Sequence, residues 1–330
     1  MTPARSARSS PGTARALDRP TDGDYLRPMK TSWLASAVLA AAALAWSQSQ
    51  PPAPPPPPAA PRVPPPAVEG TERMIDVGGR RLHCAVYGSG GPTVVLVSGF
   101  GAPQSYWNPV LAGLAEAATV VTHDRAGYGR SERGDLPVHG RQAADDLHVL
   151  LGKLGVPKPY LVVGHSYGGR IALLFAAAYP ADTAGLVLEE ASHPDLPDAQ
   201  LAALTGEDRE KLAAMIAPYR TTPPDPRTEV DYMATTVEQV RRSGPLPRVP
   251  FVVITAASRG LGLPPVFSPE GQAKLADAAM AMQKKLADLI PGGEHILVEG
   301  VGHNVHVDKP EAVVAPVLAM AARIRAEAAK

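Results

Sequence analysis

One serine of the chain stands in a setting that suits nucleophilic chemistry. Residues 164–168 read Gly-His-Ser-Tyr-Gly, a G-x-S-x-G segment with Ser166 at its centre. The segment follows the apolar run 161–163 and precedes an alanine-rich stretch, which is the order of strand, tight turn and helix. Small flanking residues let the backbone make the strained turn that projects the serine oxygen, and a helix N-terminus favours the negative charge that develops there. Ser166 is therefore the predicted nucleophile.

The predicted nucleophile needs a base, because a serine hydroxyl reacts slowly until a neighbour removes its proton. Two histidines, His303 and His306, come shortly after the last apolar run of the chain and are candidates for this base. Two histidines three residues apart also suggest a metal site. The sequence offers no third ligand beside them and contains no H-E-x-x-H motif. We therefore predict that no metal is bound.

Short β-branched runs alternate with alanine- and leucine-rich stretches from residue 71 onward. This alternation predicts an α/β domain with a mostly parallel central sheet flanked by helices. A hairpin is expected first, with strands at 73–77 and 82–87 around two glycines. Continuous apolar runs predict buried parallel strands at 93–97, 119–122, 160–163, 186–188, 251–254 and 296–298. The stretches between them predict helices at 109–117, 140–154, 168–178, 270–289 and 311–328.

Residues 193–247 interrupt this alternation. The segment is polar, contains three helix-like pieces and has no apolar strand run. Apolar residues at helical spacing in 201–204, 212–216 and 232–237 favour an inserted helical cap over a disordered insertion. We therefore predict one domain over 71–330 that carries a cap at about 193–247.

The first 70 residues are predicted to lie outside the folded domain. A methionine and a lysine precede an uncharged apolar stretch at 33–46, which is shorter than the ~20 residues of a membrane-spanning helix. We interpret residues 29–47 as a signal peptide within a leader of residues 1–47, with an uncleaved anchor as the alternative. The proline-rich residues 48–70 predict an extended linker. The expected location is extracytoplasmic, either periplasmic or secreted, with a membrane tether if the signal is not cleaved.

Several segments, in the same order along the chain, resemble the α/β-hydrolase family, and the resemblance runs from about residue 74 to residue 328. Residues 96–101 look like the oxyanion loop after the family's third strand, with Ser98 in place of the usual histidine. Residues 123–131 are similar to the family's D-x-x-G-x-G-x-S turn. His303 stands where the family places its catalytic histidine, so the resemblance implies His303 as the general base, with His306 as the alternative. The resemblance implies the α/β-hydrolase fold and a nucleophile, base and acid that act together.

The same resemblance implies the remaining parts of the site. The backbone N–H groups of Phe100 and Tyr167 would hold the oxyanion. Family members most often carry the acid after the next-to-last strand, but residues 251–269 contain neither Asp nor Glu. The other family position, used by haloalkane dehalogenases, matches Glu190, which is the predicted acid; Glu189 is the alternative. Adjacent strand residues point to opposite sides, so only one of the two can face the base.

Composition and charge narrow the function classes. The 32 Lys and Arg residues balance the 32 Asp and Glu residues, and no basic stripe stands out, so the sequence does not indicate nucleic-acid binding. Cys84 is the single cysteine, which excludes an intrachain disulfide and a multi-thiolate metal site.

The motif and the resemblance together predict a serine hydrolase that acts on an ester-type small molecule through a Ser-His-Glu triad and an acyl-enzyme. No cofactor is expected. Ser166 excludes the aspartate nucleophile that dehalogenases and epoxide hydrolases of this fold use. Two alternatives stay open, namely an acyltransferase or perhydrolase with the same triad and a non-catalytic, ligand-binding member of the family.

Overall fold

The structure is a computed structural model, and it describes residues 68–257 and 266–329. The predicted leader of residues 1–47, its signal peptide and nearly all of the proline-rich linker lie outside these residues. Within them, no helix combines the length and the apolar character that crossing a bilayer requires.

Eight strands form one sheet: β1 (Thr71–Asp76), β2 (Arg81–Tyr87), β3 (Thr93–Val97), β4 (Thr119–His123), β5 (Tyr160–His165), β6 (Thr183–Glu189), β7 (Phe251–Ala256) and β8 (Glu294–Val298). Their spatial order is β1-β2-β4-β3-β5-β6-β7-β8. Strands β3 to β8 run parallel, while β2 pairs antiparallel with β1 and β4. Every residue of β3, β4, β5 and β7 is buried, which explains their continuous apolar runs.

Nine α-helices occur in the described residues: α1 (Asn108–Ala115), α2 (Gly140–Leu154), α3 (Tyr167–Ala178), α4 (Leu196–Ala203), α5 (Gly206–Ile216), α6 (Met233–Arg241), α7 (Pro269–Ala287), α8 (Val305–Asp308) and α9 (Glu311–Ala328). Three of them, α2, α3 and α7, pack in one core cluster with Val95 of β3. Helices α1 and α9 pack in a second cluster with Val94 and Leu96 of the same strand. Because alternate strand residues face opposite sides, the two clusters cover the two faces of the sheet.

The predicted α/β class and the mostly parallel sheet are confirmed. Helices α2 and α9 have the predicted bounds, and the other predicted helices shift by one or two residues at their ends. The start of α7 shows the reason, because Ser268 caps it: its Oγ accepts the backbone N–H of Gly271 at 3.0 Å, so the helix begins at Pro269.

The interrupting segment lies between β6 and β7 and contains the helices α4, α5 and α6. Helix α6 is anchored to the sheet domain by the fully buried Thr236. The hydroxyl of Thr236 accepts the backbone N–H of Gly140 at 2.9 Å and lies 3.1 Å from the hydroxyl of Tyr167. The insertion therefore contacts the helix that follows Ser166.

Candidate active site

Ser166 lies on a sharp turn between the end of β5 and the start of α3. Its backbone has φ 51° and ψ −116°, a region that residues other than glycine rarely occupy. Two glycines make the turn sterically feasible. A Cβ on Gly164 would lie 2.6 Å from the carbonyl oxygen of Gly168, and a Cβ on Gly168 would lie 2.2 Å from that of Val97. This is the strained strand-turn-helix arrangement that the G-x-S-x-G motif predicts.

Glu190 and His303 form the second part of the site. Glu190 follows β6 with φ 47°, and only 4% of it is exposed. Its Oε1 accepts the backbone N–H of Ala256 at 2.8 Å, and its Oε2 lies 3.1 Å from Nδ1 of His303. This contact assigns the proton of the neutral imidazole to Nδ1 and leaves a lone pair on Nε2. The side chain of His303 is half exposed, so the imidazole is open to a substrate.

His165 connects the serine turn to the segment that carries His303. Its Nε2 donates to the backbone carbonyl of His303 at 3.0 Å, and the centroids of the two rings lie 4.9 Å apart. Burial lowers the pKa of His165 to about 3, so its ring is neutral at pH 7. In the described part of the chain, the hydrogen bonds of His303 run to His165 and Glu190 and not to Ser166. In sites without substrate such bonds are often long and shorten on binding.

Glu189 and His306 form a second pair next to the first. Oε1 of Glu189 accepts both the backbone N–H of His306 and its Nδ1–H, each at 2.8 Å. Neither side chain is exposed to solvent. Glu189, the alternative acid, therefore faces His306, the alternative base, and not His303. Sequence reasoning missed this pair, although two adjacent glutamates and two histidines three residues apart were its signal.

His165, Glu189 and His306 together form a buried cluster of residue types that bind metals. One potential ligand atom from each lies within 4.8 Å of the others. The sequence pattern pairs His303 with His306 and offers no third ligand beside them, whereas the fold brings His165 and Glu189 from distant parts of the chain to His306. Each member of the cluster makes a hydrogen bond within the chain. Each also has one buried atom without a hydrogen-bond partner among the described residues, namely Nδ1 of His165, Oε2 of Glu189 and Nε2 of His306. The prediction that no metal is bound therefore stays a prediction.

The predicted oxyanion loop packs against the serine turn. A Cβ on Gly99 would lie 3.4 Å from Cβ of Ser166. The rings of Phe100 and Tyr167, whose backbone N–H groups are the predicted oxyanion donors, meet edge to face with centroids 6.2 Å apart. The structure therefore brings the residues of both predicted donors next to Ser166.

A buried arginine holds this loop. Arg125 donates from Nη1 to the carbonyl oxygen of Ser98 at 2.6 Å and from Nη2 to that of Gly99 at 2.8 Å. The C=O and N–H of one trans peptide point in opposite directions, so the bond to Gly99 turns the N–H of Phe100 away from Arg125. Glu229, in the insertion, pairs with the same guanidinium. Burial opposes the charge of Arg125, yet the Glu229 carboxylate raises its pKa above the usual value. Sequence reasoning missed this link.

Removal of Glu229 is expected to destabilise the protein strongly. Glu229→Ala leaves the Arg125 guanidinium buried without its counter-charge, which lowers the free energy of unfolding by about 3–5 kcal/mol. Urea denaturation followed by circular dichroism measures the change. The matched control is Glu238→Ala, which breaks a more exposed ion pair with Arg241 and is expected to cost less than about 1 kcal/mol. Equal losses in the two variants would contradict the role given to Glu229.

A cleft of about 180 Å³ opens beside Glu190 and His303. Most of its exposed wall is apolar, although polar and apolar residues contribute equally to the lining, a mixture that suits a small organic molecule with a polar group. Helices α4 and α7 supply most of the lining, which comprises Ala191, Ser192, Leu196, Gln200, Leu275, Ala276, Ala279 and Gln283. Since α4 belongs to the insertion, that segment takes part in shaping the cleft.

Residues 94–316, more than half of the chain, match the model of the alpha/beta hydrolase family. The chain belongs to this family. The eight-stranded sheet and the serine turn between β5 and α3 agree with that assignment.

Individual relatives show how far the similarity extends. The uncharacterized protein YqjL of Bacillus subtilis (strain 168) is 26% identical over 226 residues, which cover 68% of this chain and 82% of that protein. The putative carbamate hydrolase RutD of Caulobacter vibrioides is 38% identical over 120 residues, which cover 34% of this chain and 44% of that protein. The structure of haloalkane dehalogenase DbeA from Bradyrhizobium elkani matches with a TM-score of 0.56 and 18% identity, over 78% of this chain and all of that one, a likeness of fold. The family and its relatives support hydrolase activity.

Proposed function

We propose that the chain is a serine hydrolase that cleaves an ester-type bond of a small molecule through an acyl-enzyme. The observation that carries the proposal is the 3.1 Å contact between Oε2 of buried Glu190 and Nδ1 of His303, beside the turn that bears Ser166. A base held in one tautomer, a serine on a strained turn and neighbouring backbone N–H groups are the parts that acyl transfer to serine requires.

In the first half of the reaction, Nε2 of His303 takes the proton of the Ser166 hydroxyl while the serine oxygen attacks the carbonyl carbon. The carbonyl electrons move onto oxygen, and the N–H groups of Phe100 and Tyr167 stabilise that charge. Losing one such donor costs on the order of 3 kcal/mol in the transition state. The intermediate then collapses, the ester C–O bond breaks, and His303 gives its proton to the departing alcohol. Glu190 stabilises the charged imidazole without taking the proton.

Water completes the cycle. His303 removes a proton from a water molecule as its oxygen attacks the acyl carbon, and the bond to Ser166 breaks when the second tetrahedral intermediate collapses. The serine oxygen recovers its proton from His303, and the free carboxylic acid leaves. The apolar walls of the cleft beside His303 suit the hydrocarbon part of such a substrate.

The serine separates this proposal from the chemistry of other enzymes with the same fold. Dehalogenases and epoxide hydrolases attack a carbon with an aspartate and form an ester that water can cleave. A serine in that role would form an ether, which water does not cleave, so Ser166 favours a carbonyl substrate. The name of RutD, a putative carbamate hydrolase, also favours a carbonyl substrate.

A panel of p-nitrophenyl esters with acyl chains of C2 to C16 tests the proposal. We expect turnover, fastest for the short chains, because the cleft beside the base encloses only about 180 Å³. Styrene oxide and 1-bromobutane serve as controls and are expected to remain intact. A fluorophosphonate should label Ser166, as peptide mass spectrometry would show. No ester turnover together with no labelling would instead favour a non-catalytic ligand-binding protein.

We also propose an extracytoplasmic location for the enzyme. The support is the sequence pattern of residues 29–47, a short basic start followed by an apolar stretch and small residues. N-terminal sequencing of the native protein should find a mature start between Trp46 and Gln48. A start upstream of Trp33 would contradict cleavage and leave the apolar stretch as a tether.

A further inference from the structure

We propose that Glu189 is a positioning residue for the base and acts through His306, an inference that rests on the proposed function. Glu189 makes hydrogen bonds both to the segment that carries the base and to the turn that bears Ser166. Its Oε1 accepts the backbone N–H and the Nδ1–H of His306, each at 2.8 Å. Its backbone carbonyl accepts the N–H of Ser166 at 3.0 Å. One residue at the end of β6 thus holds the nucleophile on one side and the segment that carries the base on the other.

The backbone at Glu190 brings two adjacent carboxylates to the same segment. In a continuing strand, neighbouring side chains would point to opposite sides. The φ of 47° at Glu190 ends the extended geometry at this point. Glu190 then reaches His303, at one end of the segment 303–306, and Glu189 reaches His306 at the other end. A non-glycine residue with positive φ is costly, and such strain concentrates where function requires it.

The burial of this pair is better explained by function than by stability. Neither side chain is exposed to solvent, and among the described residues Oε2 of Glu189 and Nε2 of His306 have no hydrogen-bond partner. Buried polar atoms without partners are destabilising, and apolar side chains of similar size would avoid that cost. We therefore attribute the buried pair of Glu189 and His306 to a functional role, which is to position the segment that carries His303.

The packing around His306 shows how its position reaches the base. The His306 ring lies among three others, with centroids 4.6 Å from Trp107, 4.9 Å from Tyr106 and 4.8 Å from His165. His165 donates to the backbone carbonyl of His303 at 3.0 Å. A displaced His306 would therefore move both the segment 303–306 and the hydrogen bond that steadies the backbone of His303.

The test compares two variants that each neutralise a buried carboxylate. Glu189→Gln keeps the size of the side chain, and we expect kcat on the best p-nitrophenyl ester to fall about 10- to 100-fold with KM within about threefold, because the base is misplaced while the cleft is intact. The control is Asp146→Asn, which weakens the buried bond to Arg80 and removes no contact of Ser166, Glu190 or His303. It is expected to lower the melting temperature and leave kcat unchanged.

A double variant tests whether Glu189 acts through His306. Residues that act as one unit are not additive, so Glu189→Gln combined with His306→Gln should lose no more kcat than the worse single variant. A multiplicative loss would overturn the route through His306.

Hydrogen–deuterium exchange supplies a readout that does not depend on substrate. We expect a peptide spanning residues 300–308 to exchange faster in Glu189→Gln than in the unaltered protein or in Asp146→Asn. Unchanged kcat and unchanged exchange would overturn this inference and leave the proposed function standing. If the unaltered protein hydrolyses no ester, the proposed function fails, and the exchange result still decides whether Glu189 positions the segment.

Discussion

Replacing Ser166 by alanine is expected to lower kcat/KM for p-nitrophenyl esters by at least about 10⁴-fold. The hydroxyl supplies the oxygen that forms the acyl-enzyme, and without it only binding and the oxyanion donors are left to accelerate the reaction. The melting temperature should stay within about 2 °C, since a surface-accessible change of this size costs little free energy. The Ser166 side chain is partly exposed and makes no capping hydrogen bond to α3, and alanine tolerates the same backbone as serine.

Steady-state kinetics and differential scanning calorimetry check this prediction. Ser105→Ala is a suitable control, because Ser105 is exposed in the turn before α1 and the change has the same chemistry. It should retain the full rate. Hydrolysis by Ser166→Ala within tenfold of the unaltered protein would show that another residue is the nucleophile.

The second large effect is expected for Glu190→Gln, which should lower kcat by about 10²- to 10⁴-fold. Oε1 of Glu190 accepts the N–H of Ala256, so the amide oxygen of glutamine takes that place and its nitrogen faces Nδ1 of His303. An amide nitrogen donates and does not accept. His303 must then carry its proton on Nε2, where it cannot take a proton from Ser166.

A loss of kcat is expected only where glutamine forces the proton of His303 onto Nε2, and not at an unrelated glutamate. Glu238→Gln, a change of the same type on an exposed glutamate of α6, should keep the full kcat. Circular dichroism of Glu190→Gln should show an intact fold, because glutamine preserves the hydrogen bond to Ala256. A kcat close to that of the unaltered protein would remove Glu190 from the mechanism.

Much of the fold could be predicted from the sequence because its signals are local. Buried parallel strands produce continuous apolar runs, and capping residues and glycines mark where helices begin and turns form. The bounds of α2 and α9 followed from the extent of their stretches of helix-forming residues. The serine turn could also be predicted, because the glycines at 164 and 168 that its geometry needs lie within one five-residue segment around Ser166.

The pairings in the site depend on contacts between distant residues. Glu190 and His303 are 113 positions apart, Glu189 and His306 are 117 apart, and Arg125 and Glu229 are 104 apart. The alternation of side chains along a strand predicts that two adjacent glutamates point to opposite sides, but it does not predict which histidine each glutamate contacts.

The sequence by itself determined the α/β class and the turn that bears Ser166, because each is encoded by residues close to one another in the chain. Only the tertiary structure decided that Glu190 meets His303, that Glu189 meets His306 and that the insertion helps to form the cleft. The physical reason is that these contacts depend on the positive φ at the end of β6 and on the packing of β6, β7 and the segment after β8. Such packing is a property of the whole sheet, and no local pattern records it.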